Sequence, residues 1–405
     1  MDIQAIITSI LAFISIYFAI YFLIVWKTCK KDDPKPEKFP KITMLIAACN
    51  EEKGIESSIK SCLNQIYPKD KLKILVVNDG STDNTRKICG KFEKKGLIRL
   101  INKKNTGKAN SINGALKKIN TEYFCILDAD SYLEKNALIK MIGYFNDKKI
   151  GAVISSVNIK RSKGFLNYFQ FIEYLITDFL RKILSSEDAM YIVNGAGTIF
   201  KTDLVKMLGG FDEKNETEDL EMALKLVKNG YKIKTSFNGF SFTHVPRTLK
   251  EFFKQRLRWY TGFFRNTYKY HNLIFNPKYG LVGLFALPLN SLWTIVMIYL
   301  LITISYQFSW YGYNAILTAY YVGLGYLLKS YRLILVFTTA LTLTVMALLV
   351  FLLLYYIIIR KKGNLLVNIL IYLFYSVLYI SINSLIYIIA LIKSFKGEEG
   401  WKKNG

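Results

Sequence analysis

Apolar residues along this chain fall into three regimes. From Ile3 to Trp26 the sequence is apolar apart from scattered Gln, Ser and Thr, and carries no charge; as a helix this crosses a hydrocarbon core of about 30 Å. From Ile42 onward short β-branched runs alternate with amphipathic stretches. Ile42 to Ala48, Leu72 to Val77, Leu97 to Ile101 and Tyr123 to Leu127 read as strands, with helices near Glu52 to Gln65, Ser81 to Lys94 and Lys108 to Lys118 between them. This order predicts βα units, a mostly parallel sheet and helices on both faces. Beyond Tyr279 the chain is apolar again, with no charged side chain as far as Leu328.

Phe165 to Leu184 places apolar residues at 165, 169, 172, 175, 176, 179, 180 and 183, a helical stripe ending in Arg181 and Lys182. It suits a core helix or an amphipathic helix lying on a membrane, and the neighbouring apolar segments favour the membrane. Arg247 to Tyr270 is a second amphipathic stretch, basic and aromatic. Asp32 to Pro40 holds three prolines among charges and reads as an extended tether.

The first apolar segment lacks a basic leader and a small-residue cleavage site, so an anchor suits it better than a signal peptide. Lys27, Lys30, Lys31, Lys35, Lys38 and Lys41 follow it and place that side in the cytoplasm. Leu281 to Ser305, Leu333 to Ile359 and Leu365 to Ile392 read as spans, while Tyr313 to Leu328 suits a span or an interfacial segment. The positions of Lys329, Arg332, Arg360 to Lys362, Lys393, Lys396, Lys402 and Lys403 favour five spans over four. The domain plan is thus an anchor at 1–27, a basic linker at 28–41, an α/β domain at 42–246, an interfacial region at 247–278, three or four spans at 279–393 and a tail at 394–405.

A formal charge of +25 calls for an anionic partner. The apolar runs favour anionic lipids and a nucleotide diphosphate over nucleic acid. Five scattered cysteines with no CxxC pair do not form a disulfide framework, and two histidines exclude a His-rich metal site.

In such sheets ligands bind beyond the carboxyl ends of the strands. Cys49-Asn50-Glu51, Asn78-Asp79-Gly80 and Asp128-Ala129-Asp130 end the first, second and fourth predicted strands, so they are expected to converge. Asp128 and Asp130, at i and i+2, face one way and suit a hard cation carrying a diphosphate. Asp79 can accept the imide N–H of a uracil, and Lys108 opens a helix where anions are favoured. Glu218-Asp219 begins another helix, and Asp219 is the candidate base for an acceptor hydroxyl. Gln255, Arg258 and Trp259 share one helical side at i, i+3 and i+4; Arg suits a diphosphate leaving group, and Trp the flat face of a sugar. Each cluster alone has an ordinary alternative: a turn, a helix cap, a solvated lysine or an interfacial anchor.

Together, Asn50-Glu51-Glu52, Asp79-Gly80-Ser81, Gly107-Lys108, Asp128-Ala129-Asp130, Gly195, Thr217-Glu218-Asp219 and Gln255 to Trp259 resemble processive, membrane-embedded family 2 glycosyltransferases, the group of cellulose, hyaluronan and poly-N-acetylglucosamine synthases. Val245 to Gly262 is most similar to the poly-N-acetylglucosamine branch. The resemblance implies a GT-A, Rossmann-like cytoplasmic domain inserted between transmembrane helices. It implies a UDP-sugar donor, Mg2+ or Mn2+, and inversion to a β-linkage, with Asp219 as base. Asn50, Glu51, Asp79, Lys108, Asp128 and Arg258 would contact the donor, and Gly195, Glu218, Gln255 and Trp259 the acceptor, a growing polysaccharide or a membrane lipid. Two positions depart from the pattern: Cys49 replaces an aromatic or His, and Asn78 the first Asp of a common pair. No gating-loop motif is recognisable after Trp259.

Overall fold

The computed structural model describes residues 3–159, 164–323 and 380–395. Two compact units emerge: one built from the N-terminal helix with residues 289–389, the other from residues 29–288 with 390–405. The expected spans at Leu333 to Ile359 and across most of Leu365 to Ile392 lie outside the described residues, as does nearly all of the tail.

The second unit is an eight-stranded sheet wrapped by helices. Its strands are β1 (Ile42–Ala48), β2 (Leu72–Asp79), β3 (Arg99–Lys103), β4 (Tyr123–Leu127), β5 (Tyr132–Leu133), β6 (Ile150–Ile159), β7 (Ala196–Lys201) and β8 (Lys232–Thr243). They are ordered β3-β2-β1-β4-β7-β6-β8-β5. The first half is parallel, with β1 between β2 and β4. From β4 onward the sheet is mixed, because β7 runs antiparallel to both β4 and β6. The expected mostly parallel sheet thus holds for the part that places the first polar clusters.

Alternation explains why the central residues of β1, β2 and β4 are apolar on both sides of the strand. Leu45, Leu75, Val77, Phe124 and Ile126 enter one core, while Met44, Ile46, Val76, Cys125 and Leu127 enter the other. A strand covered on both faces has no solvent side to keep polar. Strand order reverses where β1 lies between β2 and β4, and the crevice of an open α/β sheet forms at such a point.

The remaining helices of this unit are α2 (Ile55–Leu63), α3 (Thr85–Lys94), α4 (Lys108–Leu116), α5 (Ala137–Ile142), α6 (Phe165–Ser186), α7 (Thr202–Met207), α8 (Glu218–Lys228) and α9 (Leu249–Lys269). A capping box fixes the start of α9: Thr248 accepts from the Glu251 N–H, and Glu251 from the Thr248 N–H. The helix α6 has one side on the sheet. It packs on β6 and β8, and Phe169, Ile172, Phe179 and Ile183 of its stripe are buried. Lys182 is buried as well, paired with Asp178 at 2.7 Å.

The linker is also not a free tether. Asp33 accepts hydrogen bonds from the backbone N–H groups of Phe237 (2.7 Å) and Asn238 (2.9 Å) and from Ser236 Oγ (3.0 Å) and Tyr144 Oη (2.9 Å). The Lys35 and Pro40 carbonyls accept from Asn146 and Tyr67.

In the first unit, the N-terminal helix α1 (Ile3–Thr28) and α10 (Leu287–Val322) are both long. Among the described residues, no helix is long and apolar enough to cross a membrane. Unbroken, α10 includes Tyr313 to Val322, and the rest of the Tyr313 to Leu328 segment, expected to be a span or an interfacial segment, lies outside the described residues after Gly323. A further helix covers Ile380–Phe395.

Asp33→Ala strands donors that the carboxylate now satisfies, at a cost of about 1–3 kcal/mol. A thermal melt of the purified protein should fall by roughly 2–10 °C; an unchanged melt would show the linker contacts to be energetically idle.

Candidate active site

Three loops meet at the carboxyl ends of β1, β2 and β4. Asn50 adopts a left-handed backbone (φ 57°), which Asn tolerates better than most residues. Its side-chain oxygen accepts from the Thr82 N–H at 2.8 Å, and its own N–H donates to Ser81 Oγ at 3.1 Å. The Glu51 N–H donates to Thr85 Oγ1. These bonds tie the loop after β1 to the start of α3. Cys49 accepts from Asn105 Nδ2, and Asn78 pairs with Asn102.

Asp79 is placed in this crevice but is not open to it. It is 2% exposed, and its two carboxylate oxygens accept the Thr106 and Gly107 N–H groups, each at 2.9 Å. This carboxylate holds the loop before α4, and each of its oxygens keeps a second acceptor site.

Lys108, the first residue of α4, lies at the centre of the acidic groups. Its Nζ is 2.6 Å from Asp128 and 3.4 Å from Glu218. Burial opposes the ammonium, but Asp128, Glu218 and Asp219 outweigh it and hold Lys108 above the ordinary lysine range. The expected donor-side lysine is thus also the counter-ion of a candidate acceptor-side residue. Burial, and then Glu218 beside it, push Asp219 up to about 6, while Lys108 and Arg258 act in the opposite direction.

Asp128 and Asp130 flank the buried Ala129. Burial and the neighbouring Asp128 hold Asp130 above the usual carboxylate range. Its carboxylate accepts from Ser131 Oγ at 3.1 Å, and its backbone carbonyl faces His244 Nδ1 at 2.8 Å. Among the described residues, no group of three His, Cys, Asp or Glu side chains is arranged to hold a metal. Two close carboxylates with one poorly compensated charge do suit a divalent ion whose other ligands come from a diphosphate and water. Gly195 stands directly against this pair. A Cβ there would collide with the Asp128 carboxylate, and its carbonyl accepts the Asp128 N–H at 2.8 Å. Its place is therefore beside the carboxylate, and that accounts for the absence of a side chain.

On the other wall, α9 holds the loop that leads into Glu218 and Asp219 at the start of α8. Asn266 donates to Thr217 Oγ1 at 2.9 Å and accepts from Asn215 at 2.7 Å. Arg265 reaches Glu216, and Lys269 reaches Asp212 and Glu221. Gly262 meets Thr217 so closely that any Cβ would collide with its side chain. Gln255 and Trp259 are half-buried and Arg258 is exposed. A groove of about 410 Å³ is lined by Glu216, Lys254, Gln255, Leu257, Arg258 and Lys393. Lys393, near the end of the chain, was not distinguishable by sequence from other terminal lysines. A larger groove of about 550 Å³, lined by Phe39, Ile66, Tyr67 and Lys69 among others, contains none of the site residues.

Replacing Gly195 with Ala should push the Asp128 carboxylate away from Lys108. Titration calorimetry with Mn2+ and the purified protein is expected to show affinity reduced by ~10–100-fold, the usual effect of disturbing the support of a ligand. Unchanged affinity would mean that Asp128 is not a ligand.

The fold and site agree with relationships visible across known proteins. Residues 43–208 match the family described as "Glycosyl transferase family 2". Poly-beta-1,6-N-acetyl-D-glucosamine synthase of Staphylococcus aureus (strain COL) is 33% identical over 251 residues, 61% of this chain and 60% of that protein. The chain thus spans about three fifths of the length of that curated relative. The Staphylococcus epidermidis enzyme of the same name is 28% identical over 367 residues, covering 89% of this chain and 85% of the relative. Among solved structures, the mannosyltransferase PcManGT from Pyrobaculum calidifontis, in complex with GDP-Man and Mn2+, shares 20% identity. Its TM-score is 0.64 over 98% of this chain and 99% of that one, a likeness of fold. Asp219 and Gln255 to Trp259 lie beyond the matched segment, on α8 and α9. Residues 43–208 of this chain form a family 2 glycosyltransferase domain of GT-A-like α/β fold.

Proposed function

We propose that this protein is an inverting glycosyltransferase that uses a UDP-sugar to extend a β-linked polysaccharide of poly-N-acetylglucosamine type. The observation that carries this reading is the placement of Asp219. Its raised carboxyl lies within the electrostatic reach of Lys108, which holds Asp128, and of Arg258 in the QRLRW run. One base thus stands between the donor-side carboxylates and the acceptor-side helix. The names of the staphylococcal relatives support the sugar class.

In this reading the acceptor hydroxyl loses its proton to Asp219 as its oxygen forms a bond to the anomeric carbon. The bond from that carbon to the UDP oxygen breaks on the opposite face, which inverts the centre. Arg258 and Lys108 are the cations available to the departing diphosphate, and Trp259 offers a flat face to the acceptor sugar. A Mg2+ or Mn2+ ion held by Asp128 and Asp130, when bound, would neutralise charge developing on the diphosphate.

The reading places the protein in a membrane, with its transferase domain on the cytoplasmic side. Support comes from the sequence: Ile3 to Trp26 carries no charged side chain, and six lysines follow it between positions 27 and 41. The lysines that follow suit anionic lipid headgroups.

Purified full-length protein given radiolabelled UDP-N-acetylglucosamine with Mn2+ or Mg2+ should yield a high-mass polymer. Asp219→Asn is expected to lower transfer by ~10²–10⁴-fold, the usual contribution of a positioned base. A chloroform-soluble labelled product would instead mark a lipid acceptor, and single additions would remove processivity.

The pH profile supplies a separate check. A base must be ionised, and Asp219 gains its proton as pH falls through about 6. The acid limb of kcat/KM should therefore lie near 6, whereas an unperturbed aspartate would place it near ~4.

A further inference from the structure

Arg256 is one of the largest fully buried side chains among the described residues, with 0% exposure, although it lies in a basic helix beside the exposed Arg258. Its Nη2 is 2.5 Å from Glu173 Oε2 on α6. The guanidinium carbon sits 4.9 Å from the centre of the Phe252 ring and 4.3 Å from that of Trp259. Nη1 donates to Gln255 Oε1 at 3.2 Å. Arg256 therefore touches two of the four residues assigned to the acceptor side, and a carboxylate from another helix holds it.

We infer that Arg256 is a positioning residue that sets Trp259 and Gln255 for the acceptor, and that Glu173 makes α6 the fixed support for that arrangement. The inference rests on the acceptor role proposed above for Trp259. Helical spacing explains the sandwich: Phe252 lies four residues before Arg256, and Trp259 three after it, so both rings share its side. A buried guanidinium must keep its partners, since leaving it unpaired is costly. That requirement makes its position single-valued in a way an exposed arginine's is not. The planar group then offers one face to the indole while its edge engages Glu173 and Gln255.

The support itself is well fixed. One turn before Glu173, the buried Gln170 donates to the Pro246 carbonyl at 2.9 Å, just ahead of α9. Further along α6, Asp178 accepts from Ser156 of β6 at 2.6 Å. The sheet thus positions α6, α6 positions Arg256, and Arg256 positions the indole.

The test uses full-length protein carrying Glu173→Gln, Arg256→Lys or Arg256→Met, each compared with the same protein bearing Trp259→Phe. Subtracting each pair isolates the emission of Trp259 from the other tryptophans. Acrylamide quenching of Trp259 should rise by at least ~2-fold in Glu173→Gln and Arg256→Met, and less in Arg256→Lys, which keeps the charge but not the plane. With an N-acetylglucosamine oligosaccharide as acceptor, its KM should rise ~10-fold in Glu173→Gln while the KM for UDP-N-acetylglucosamine stays within ~2-fold. Unchanged quenching in Glu173→Gln would overturn the inference, as would both KM values rising together, which indicates general loosening. If Arg256→Met does not fold, Glu173→Gln and Arg256→Lys still decide. Absence of transfer by the wild type would count against the functional reading alone, because the quenching comparison needs no turnover.

Discussion

The site depends on one ammonium group shared by two acids. Asp128 comes from one part of the chain and the adjacent pair Glu218 and Asp219 from another, and without a cation between them their mutual repulsion would oppose closure of the crevice. Lys108 supplies that cation from the first turn of α4. The backbone N–H groups just before it are held by Asp79, so the lysine's base is fixed as well as its tip. The arrangement ties the end of β2, the start of α4, the end of β4 and the start of α8 into one electrostatic unit. It also leaves Asp219 with a raised carboxyl, because Lys108 offsets only part of what burial and Glu218 impose.

Around this unit the two walls are built differently. On the nucleotide side, short loops are stitched by backbone donors and small polar side chains such as Asn50, Ser81 and Thr82. On the other side, a single long helix carries the support. One end of α9 grips the loop of Asp219 through Asn266 and Lys269, and its middle is held to α6 through Arg256. Two glycines allow these walls to approach: Gly195 against Asp128, and Gly262 against Thr217.

Much of the parallel half was legible because β1 and β4 are continuous apolar runs bounded by polar clusters. The later strands were not, and the reason is chemical. β6 and β8 carry buried serines, and a hydroxyl pair such as Ser155 and Ser241 at 2.7 Å satisfies itself inside the sheet. Polar letters therefore stand at core positions and break the pattern. Periodicity showed that Phe165 to Leu184 is a helix, but not which surface covers its stripe; that surface is the sheet. For the same reason the spacing of Gln255, Arg258 and Trp259 marks one face, while nothing in the spacing singles out Arg256, bracketed by Phe252 and Trp259. Burial, which separates the two arginines, depends on Glu173, a residue from a distant part of the chain.

The contact of Asp33 with the turn at Phe237 and Asn238 has a consequence for how the domain is made. Asp33 lies near the start of the chain, and its partners lie up to 205 residues later. At a synthesis rate of about 5–20 residues per second, roughly 10–40 s separate their emergence from the ribosome. During that interval Asp33 lacks its donors at Ser236, Phe237 and Asn238, and β8, which extends the mixed half of the sheet, does not yet exist. The contact is therefore among the last the domain can make, closing its first and last parts like a clasp once the sheet between them is complete.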